Sequence, residues 1–270
     1  MLENPVITLT TDFSLKDPFV AMMKGVILGI NPKANIVDIT HNIPRHNIAE
    51  ASQTLSMSYR YFPDNTIHIA VVDPGVGSSR RPIMVVTENH FFIGPDNGIF
   101  SSIINEADES TVRVIHITED KYFLPKKGAT FHGRDIFAPV AAWLSKGQDA
   151  GQFGEQIDDY LKITIPEVTF SESSSLTGEI ISIDSFGNAI SNITRDNLSS
   201  LDPSESGNRL MVSYNNTPLS LLSFYAESKD SALSAIINSS GYLELFVNQR
   251  NAADNYHIKV GDKITVSLAH

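Results

Sequence analysis

The chain has 270 residues, of which 41% are hydrophobic, enough for a large core arranged as one big domain or two smaller ones. Its formal net charge of −11, with no long basic run, argues against a protein that grips a nucleic-acid backbone, which needs clustered lysine and arginine. The absence of cysteine excludes disulfide scaffolds, thiolate zinc sites and cysteine nucleophiles. No stretch reaches the roughly 18 apolar residues of a membrane span, and the N-terminus lacks a secretory pattern, so the expectation is a soluble cytoplasmic protein.

Val6 to Thr11 is rich in β-branched residues and predicts a first strand, followed at once by Asp12-Phe13-Ser14. Asp17-Pro18 predicts a helix start, with Asp17 as cap and Pro18 in the first helical position. Phe19, Met22, Met23, Val26, Ile27 and Ile30 then recur at helical spacing as a core-facing stripe, and Pro32 stops it. Asn35 to Ile39 predicts a second strand. Ile48 to Tyr61 predicts a second helix, with Ala49, Leu55, Ser56 and Tyr59 near one side. Ile67 to Val72 is an unbroken apolar and β-branched run, the composition of a strand buried on both faces. The alternation of strand and helix is the βαβ signature of a mostly parallel sheet.

The Ile67 strand runs into Asp73-Pro74-Gly75, where the chain turns, and Arg80-Arg81 follow. The carboxyl edge of an open α/β sheet is where ligands bind, so an acid that opens a glycine-rich turn and an arginine that closes it outline a site. They describe equally well a capped turn with solvated arginines. Ile83 to Thr87 and His90 to Ile93 predict two strands around Glu88-Asn89. Gly94-Pro95-Asp96-Asn97-Gly98 specifies a turn in which Asp96 and Asn97 serve either a ligand or their own backbone. Ile99 to Ile104 predicts a short helix and Val112 to Ile117 a strand.

Phe131-His132-Gly133-Arg134-Asp135 precedes a helical pattern that ends near Gly147, with Asp135 as a candidate cap. His132, just ahead of that helix, is either a neutral base or a histidine that ties down a loop. Residues 151 to 175, with Asp158-Asp159, Pro166 and the serine-rich run from Ser171 to Ser175, read as a linker. Beyond it Thr177 to Ile183, Ala189 to Ile193, Arg209 to Tyr214, Gly241 to Val247 and Lys263 to Leu268 predict strands, with a short helix at Leu233 to Ile237. The fold class is therefore α/β. A mostly parallel N-terminal α/β domain spans residues 1–168, and an antiparallel, barrel-like C-terminal domain spans 176–270.

In the second half, the turns Asp184-Ser185-Phe186-Gly187-Asn188 and Ser239-Ser240-Gly241 suit a ligand with ribose hydroxyls and base edges, or ordinary turns. Arg250, in Asn248-Gln249-Arg250-Asn251, either reaches a ligand carboxylate or lies in water. A dinucleotide fingerprint, a phosphate-binding loop, a zincin motif and a nucleophile elbow are all missing, and the eight histidines show no ligand cluster, so no metal site is expected.

Six separated motifs, in order, resemble the S-adenosyl-L-methionine hydroxide adenosyltransferases, relatives of the fluorinating and chlorinating enzymes that use the same substrate. They are Thr11-Asp12-Phe13, Val72-Asp73-Pro74-Gly75-Val76-Gly77, Gly94-Pro95-Asp96-Asn97-Gly98, Phe131-His132-Gly133-Arg134-Asp135, Ile183-Asp184-Ser185-Phe186-Gly187-Asn188 and Asn238-Ser239-Ser240-Gly241. The resemblance implies hydrolysis of S-adenosyl-L-methionine to adenosine and L-methionine, with no metal or other cofactor. It implies a homotrimer whose sites lie between the N-terminal domain of one subunit and the C-terminal domain of the next. It also implies that Asp73, Arg80 and His132 handle the attacking water, a triad the halogenating members lack. Asp12 matches the ribose-binding acid. Asp184, Asn188 and Ser240 match contacts to the methionine or adenine parts, with Arg250 as a further substrate contact. Halide-dependent adenosyl transfer and a non-catalytic sensor of adenosine or S-adenosyl-L-methionine are the alternatives. Nucleic-acid and membrane partners are not expected.

Overall fold

A computed structural model of the chain describes residues 4–125, 128–171, 174–202, 210–228 and 231–268. It divides into two compact units, Met1–Ile165 and Pro166–His270.

In the first unit the elements run β1 (Val6–Thr11), α1 (Phe19–Ile30), β2 (Asn35–Thr40), α2 (Ile48–Ser58), β3 (Thr66–Val71), β4 (Pro82–Val86), β5 (His90–Pro95), α3 (Ser101–Glu106), β6 (Arg113–Ile117), α4 (Ala138–Ser145) and β7 (Gly154–Gln156). The strands form one sheet in the order β2-β1-β3-β5-β4-β6-β7. The pairs β1–β2, β1–β3 and β3–β5 are parallel, while β4 runs against both β5 and β6, and β7 against β6. Five of the seven strands, β2, β1, β3, β5 and β6, therefore run the same way, the mostly parallel sheet that the βαβ pattern predicts.

Every residue of β1 and β3 is buried, because both faces of the sheet are covered. Ile7, Leu9, Ile67, Ile69 and Val71 pack with α1 and α4 on one face. Ala70, Val72, Val85 and Phe92 pack with α2 and α3 on the other. Successive residues of a strand feed different cores, which is the two-residue period of a strand at work.

Several local expectations change. Helix α1 begins at Phe19 with Pro18 at the N-cap position, and no side chain caps it, so Asp17 is not its cap. Its buried face is Val20, Met23 and Ile27, while Phe19 and Met22 are each about 40% exposed. On α2 the buried residues are Ala51, Ser52, Leu55 and Ser56, and Ala49 lies off that face. That helix ends at Ser58 and tightens into a 3-10 turn over Tyr59–Tyr61. Residues 154–156, expected in a linker, pair with β6 and finish the first sheet.

The second unit contains β8 (Thr169–Ser171), β9 (Ser175–Ile183), β10 (Ala189–Thr194), α5 (Arg195–Leu201), β11 (Leu210–Tyr214), β12 (Thr217–Leu219), β13 (Leu221–Leu222), β14 (Ser234–Ile237), β15 (Tyr242–Phe246), α6 (Ala252–Tyr256) and β16 (Lys263–Leu268). The strand path is β12-β11-β16-β9-β10-β15-β14-β13, with β8 also on β9. All its pairs are antiparallel except β13–β14. β13 returns beside β11, so the sheet nearly closes into a barrel around Leu176, Ile180, Leu243, Leu245, Ile264 and Val266. The expected helix at Leu233 to Ile237 is instead strand β14, whose Ala235 and Ile236 pair with Leu245 and Glu244. Tertiary pairing overrides helical propensity there. Glu172 and Ser173, within the serine-rich run, and Arg209 at the start of an expected strand lie outside the described residues.

A buried histidine pair sits inside the first unit. His68 accepts or donates at Nδ1 with Thr8 Oγ1, 2.8 Å away, and its Nε2 is 3.4 Å from His90 Nδ1. It stacks on Phe92. Burial, then the neighbouring His90, pushes the His68 pKa down to about 3, and burial lowers that of His90. Both rings are neutral in the folded chain at neutral pH. Below the ordinary histidine value of about 6.5 the unfolded chain binds a proton that folded His68 refuses. Stability present above pH 6.5 is therefore lost as pH falls toward 3. Replacing His68 with Gln is expected to make the acid limb of the stability profile shallower, by up to about 1.4 kcal/mol per pH unit. Urea unfolding at stepped pH measures this, and an unaltered slope would mean that His68 takes up its proton in the folded state.

Candidate active site

The parallel strands of the first unit reverse their winding between β1 and β3: the chain passes from β1 outward to β2, then back across to β3. Ligands of open α/β sheets bind in the crevice at such a reversal, beyond the carboxyl ends of the strands. Asp12 follows β1 and Asp73 follows β3 after one further residue, so both acids stand at that crevice. A cavity of about 330 Å3 opens there, lined by Asp12, Phe13, Arg45, His46, Asp73, Phe131 and His132 among others.

Arg80 organises the polar side of this cavity. Its Nε donates to Asp73 Oδ1 at 2.8 Å, and its Nη2 donates to Asp73 Oδ2, a two-pronged ion pair. The same Nη2 lies 2.9 Å from His132 Nδ1. The arginine and aspartate side chains are only 8% and 5% exposed. A guanidinium has donors and no acceptor, so His132 Nδ1 accepts, and the neutral imidazole carries its proton on Nε2. Arg80 Nη1 is buried without a protein acceptor among the described residues. The guanidinium also lies over the Phe137 ring at 5.3 Å, which keeps its apolar face dry.

The loop from Asp73 to Arg80 is closed by its own hydrogen bonds. Val76 N–H reaches Asp73 O, and both Ser78 N–H and its hydroxyl reach Gly75 O. Gly77 sits at φ +79°, and a Cβ there would overlap the Ala129 carbonyl oxygen, so only glycine lets this loop rest against the segment leading to His132. His132 itself starts a π-helical turn, Gly133–Phe137, that continues into α4. Wide turns of this kind recur at functional sites because they re-aim a side chain at a helix start. Asp135 lies inside that turn instead of capping the helix. It is fully buried and accepts from Arg134 Nε and the Gly128 amide, each at 2.6 Å.

Asp12 Oδ2 accepts the His46 amide at 3.0 Å, and among the described residues no protein donor on Oδ1 competes with a ligand hydroxyl. Phe13, Phe19 and Phe131 form an aromatic wall with ring centroids 5.2–5.7 Å apart. Periodicity assigns Phe19 to the core, and Arg45 and His46 carry no local signal at all. Asp96 and Asn97 face the protein. Asp96 is 2% exposed and accepts from Arg81 Nε and the Leu161 amide, and Asn97 donates to the Val72 carbonyl.

In the second unit a cavity of about 610 Å3 is lined by Asp184, Phe186, Asn188, Tyr225, Phe246 and Arg250, with their neighbours. Asp184 Oδ1 accepts the amides of Phe186 and Asn188 at 2.9 Å each, and Oδ2 accepts the Asn188 carboxamide at 3.2 Å. The two residues thus hold each other in one turn. Gly187, at φ +85°, meets Asn251 there. Ser240 lies apart from this cavity's lining, in the β14–β15 turn, where its amide donates to Asn238 Oδ1 at 3.0 Å. Glu244 carries no signal in the sequence. It is 2% exposed, accepts from Tyr225 Oη and Asn238 Nδ2, and links the cavity wall to the Ser240 turn. Burial, then the contact with Glu244, pushes the Tyr225 phenol up to about 12, and burial raises the Glu244 carboxyl. No group of three or more His, Asp or Glu side chains that could hold a metal occurs among the described residues.

The model of the S-adenosyl-L-methionine hydroxide adenosyltransferase N-terminal domain matches residues 7–154, and that of the C-terminal domain matches residues 178–265. The chain belongs to this family.

The (R)-S-adenosyl-L-methionine hydrolase of Salinispora arenicola is 31% identical, the alignment covering 99% of both chains. The protein of the same name from Methanocaldococcus jannaschii is 33% identical over 97% of this chain and 95% of its own. A fluorinase from Actinopolyspora mzabensis is 25% identical over 98% of this chain and 97% of its own. A crystal structure of an uncharacterized conserved protein from Thermotoga maritima superposes with a TM-score of 0.89 at 31% identity, covering 97% of this chain and 99% of that one. Within the hydroxide adenosyltransferase framework, the first unit brings Asp12, Asp73, Arg80 and His132 together, and the second brings Asp184, Asn188 and Arg250 together.

The ion pair beneath the first cavity carries a stability consequence. Removing one partner of a buried pair strands the other's charge away from water, which costs about 3–5 kcal/mol. Arg80→Met is expected to destabilise the fold by about that amount at neutral pH, measured by urea unfolding. Asp73 and Arg80 changed together to Asn and Met should lose distinctly less than the sum of the two single changes.

Proposed function

We propose that the protein hydrolyses S-adenosyl-L-methionine to adenosine and L-methionine, with the oxygen of water attacking C5′ of the ribose. The observation that carries this reading is the Asp73–Arg80–His132 cluster at the crevice beyond β1 and β3, in a chain 31–33% identical to relatives named as hydrolases of this substrate. The protein is an enzyme. The substrate arrives with its leaving group already activated: a sulfonium departs as a neutral thioether, so no acid is needed to expel methionine. What the site must supply is an oxygen held in line with the C5′–S bond, and positioning of reactants accounts for much of the rate in such displacements. The reaction as written calls on no metal or other cofactor.

Water carries the new C5′–O bond and loses one proton, while the C5′–S pair leaves with methionine. Arg80 holds Asp73 in place and sets the local charge, and His132 lines the cavity where the water sits. His132 and Asp73 orient the water and take its proton between them. Asp12 takes the ribose hydroxyls. Asp184, Asn188 and Arg250, which line the second cavity, contact the methionine or adenine parts, with Ser240 as a further contact from the β14–β15 turn outside that lining. The two domains, 1–168 and 176–270, divide these roles, and we place each active site between the N-terminal domain of one subunit and the C-terminal domain of the next in a homotrimer in the cytoplasm. That the candidate groups fall into two separate units, each with its own cavity, supports this division.

Purified protein incubated with S-adenosyl-L-methionine in ¹⁸O water is expected to release adenosine and methionine together, with label at the 5′ oxygen. A chlorinated nucleoside in the presence of chloride would select halide transfer instead, and tight binding without product would select a sensor. His132→Ala should lower turnover by roughly 10²–10⁴-fold while substrate affinity stays nearly intact. Asp12→Ala should weaken affinity several-fold or more, since a charge-assisted hydrogen bond contributes about 1.5–3 kcal/mol. Calorimetry separates the two effects. Sedimentation coupled to the activity assay should show activity falling as the oligomer dissociates, and a fully active monomer would refute the shared site.

A further inference from the structure

The Gly94-Pro95-Asp96-Asn97-Gly98 turn takes no part in the chemistry above, yet it touches the strand that delivers Asp73. The last Cα pair of the parallel β3–β5 ladder is Ile69 with Ile93. Beyond it β5 turns away: the Asp96 amide goes to the Arg81 carbonyl at 2.8 Å, and the Asn97 amide to the Pro95 carbonyl at 3.0 Å. Val72, fully buried and just before Asp73, thus finds no backbone donor from β5. The Asn97 side chain fills that place. Its Nδ2 donates to the Val72 carbonyl at 2.9 Å, while its Oδ1 accepts the Ile99 amide at 3.2 Å.

We infer that Asn97 is a positioning residue for Asp73, its carboxamide standing in for one more rung of the β3–β5 ladder. The inference rests on the proposed role of Asp73. The Val72–Asp73 peptide sets the direction of the Asp73 Cα–Cβ bond, and both carboxylate oxygens must then meet Arg80. A rotation of that peptide swings the acid away from Nε and Nη2 together. The carboxamide can fix the peptide because its own turn is rigid. Asp96 is clamped by Arg81 and by the Leu161 amide, and Gly98 at φ +90° packs against Ile163. The two consecutive arginines therefore divide the work: Arg80 holds the acid, and Arg81 holds the turn that aims it.

Asn97→Asp keeps size and the Ile99 contact but sets a carboxylate oxygen against the Val72 carbonyl in place of a donor. It is expected to lower kcat for S-adenosyl-L-methionine by about 10–100-fold with KM within about two-fold, since a small misplacement of a reacting group costs rate more than binding. Ser56→Ala, which removes the α2 hydroxyl that donates to Glu106 and leaves the turn intact, serves as the control for general loss of stability, and it should lower the melting temperature while keeping most of kcat. Amide hydrogen exchange across residues 73–80 reads the same inference without turnover. It should speed up at least about ten-fold in Asn97→Asp and stay near the parent rate in Ser56→Ala. Unchanged exchange in Asn97→Asp, or a kcat loss matched by Ser56→Ala, overturns the inference. A parent protein that makes no product overturns the proposed function instead, and hydrogen exchange then decides the role of Asn97 alone.

Discussion

A buried guanidinium must find acceptors, and the way Arg80 finds them sets the geometry of the first unit's crevice. Its fork points two donors at Asp73 and shares one of them with His132 Nδ1. The pair is stable in a dry place only because the carboxylate neutralises it and the fork matches the carboxylate's shape. The same contact decides the proton on His132. An imidazole nitrogen facing a group that only donates can only accept, so the neutral ring carries its proton on Nε2. A lysine in this position would pair with Asp73 as a point charge, and neither the orientation of the acid nor the tautomer of the histidine would follow from it.

The rest of the unit is arranged to bring that fork to its partners. Burial of β1 and β3 on both faces holds their carboxyl ends side by side at the reversal of the sheet. The aspartates one or two residues beyond those ends then need only short, stiff connections. Gly77 allows the Arg80 loop to lie on the Ala129 segment, and the π-helical turn after His132 brings the ring to the guanidinium. Fully buried Asp135 ties that turn to Arg134 and Gly128. In the second unit a buried acid, Glu244, does comparable work for the Tyr225 wall and the Ser240 turn.

Strand ends were legible because β-branched runs stop abruptly at acids: Asp12 and Asp73 could be placed at a sheet edge from local composition. Arg80, seven residues on, was legible as the close of a turn. That His132 joins them was not, since nothing local links positions 80 and 132, and there the resemblance supplied what spacing could not. Asp96 and Asn97 show the limit from the other side. A polar turn that serves its own scaffold reads the same as one that serves a ligand, and only the Val72 and Arg81 contacts tell them apart. Phe19 misled because helical period reports a face, not what covers it; the face turned out to border a cavity. Glu244 was invisible because one acid in a strand reads as solvent-facing. Leu233 to Ile237 reads as helical because the pairing with β15 that makes it a strand lies outside the segment itself.

The self-closed loop between Asp73 and Arg80 also bears on how the crevice comes together as the chain folds. The acid and its cation are separated by seven residues, and the hydrogen bonds between them stay within the loop. Closing a segment of about ten residues takes roughly 10–100 ns, far less than pairing distant strands. His132 enters from 52 residues further along and needs α4 docked on the sheet before its ring can arrive. The ion pair thus closes the shorter of the two loops, and wherever short loops close first Arg80 meets its countercharge before apolar residues cover it.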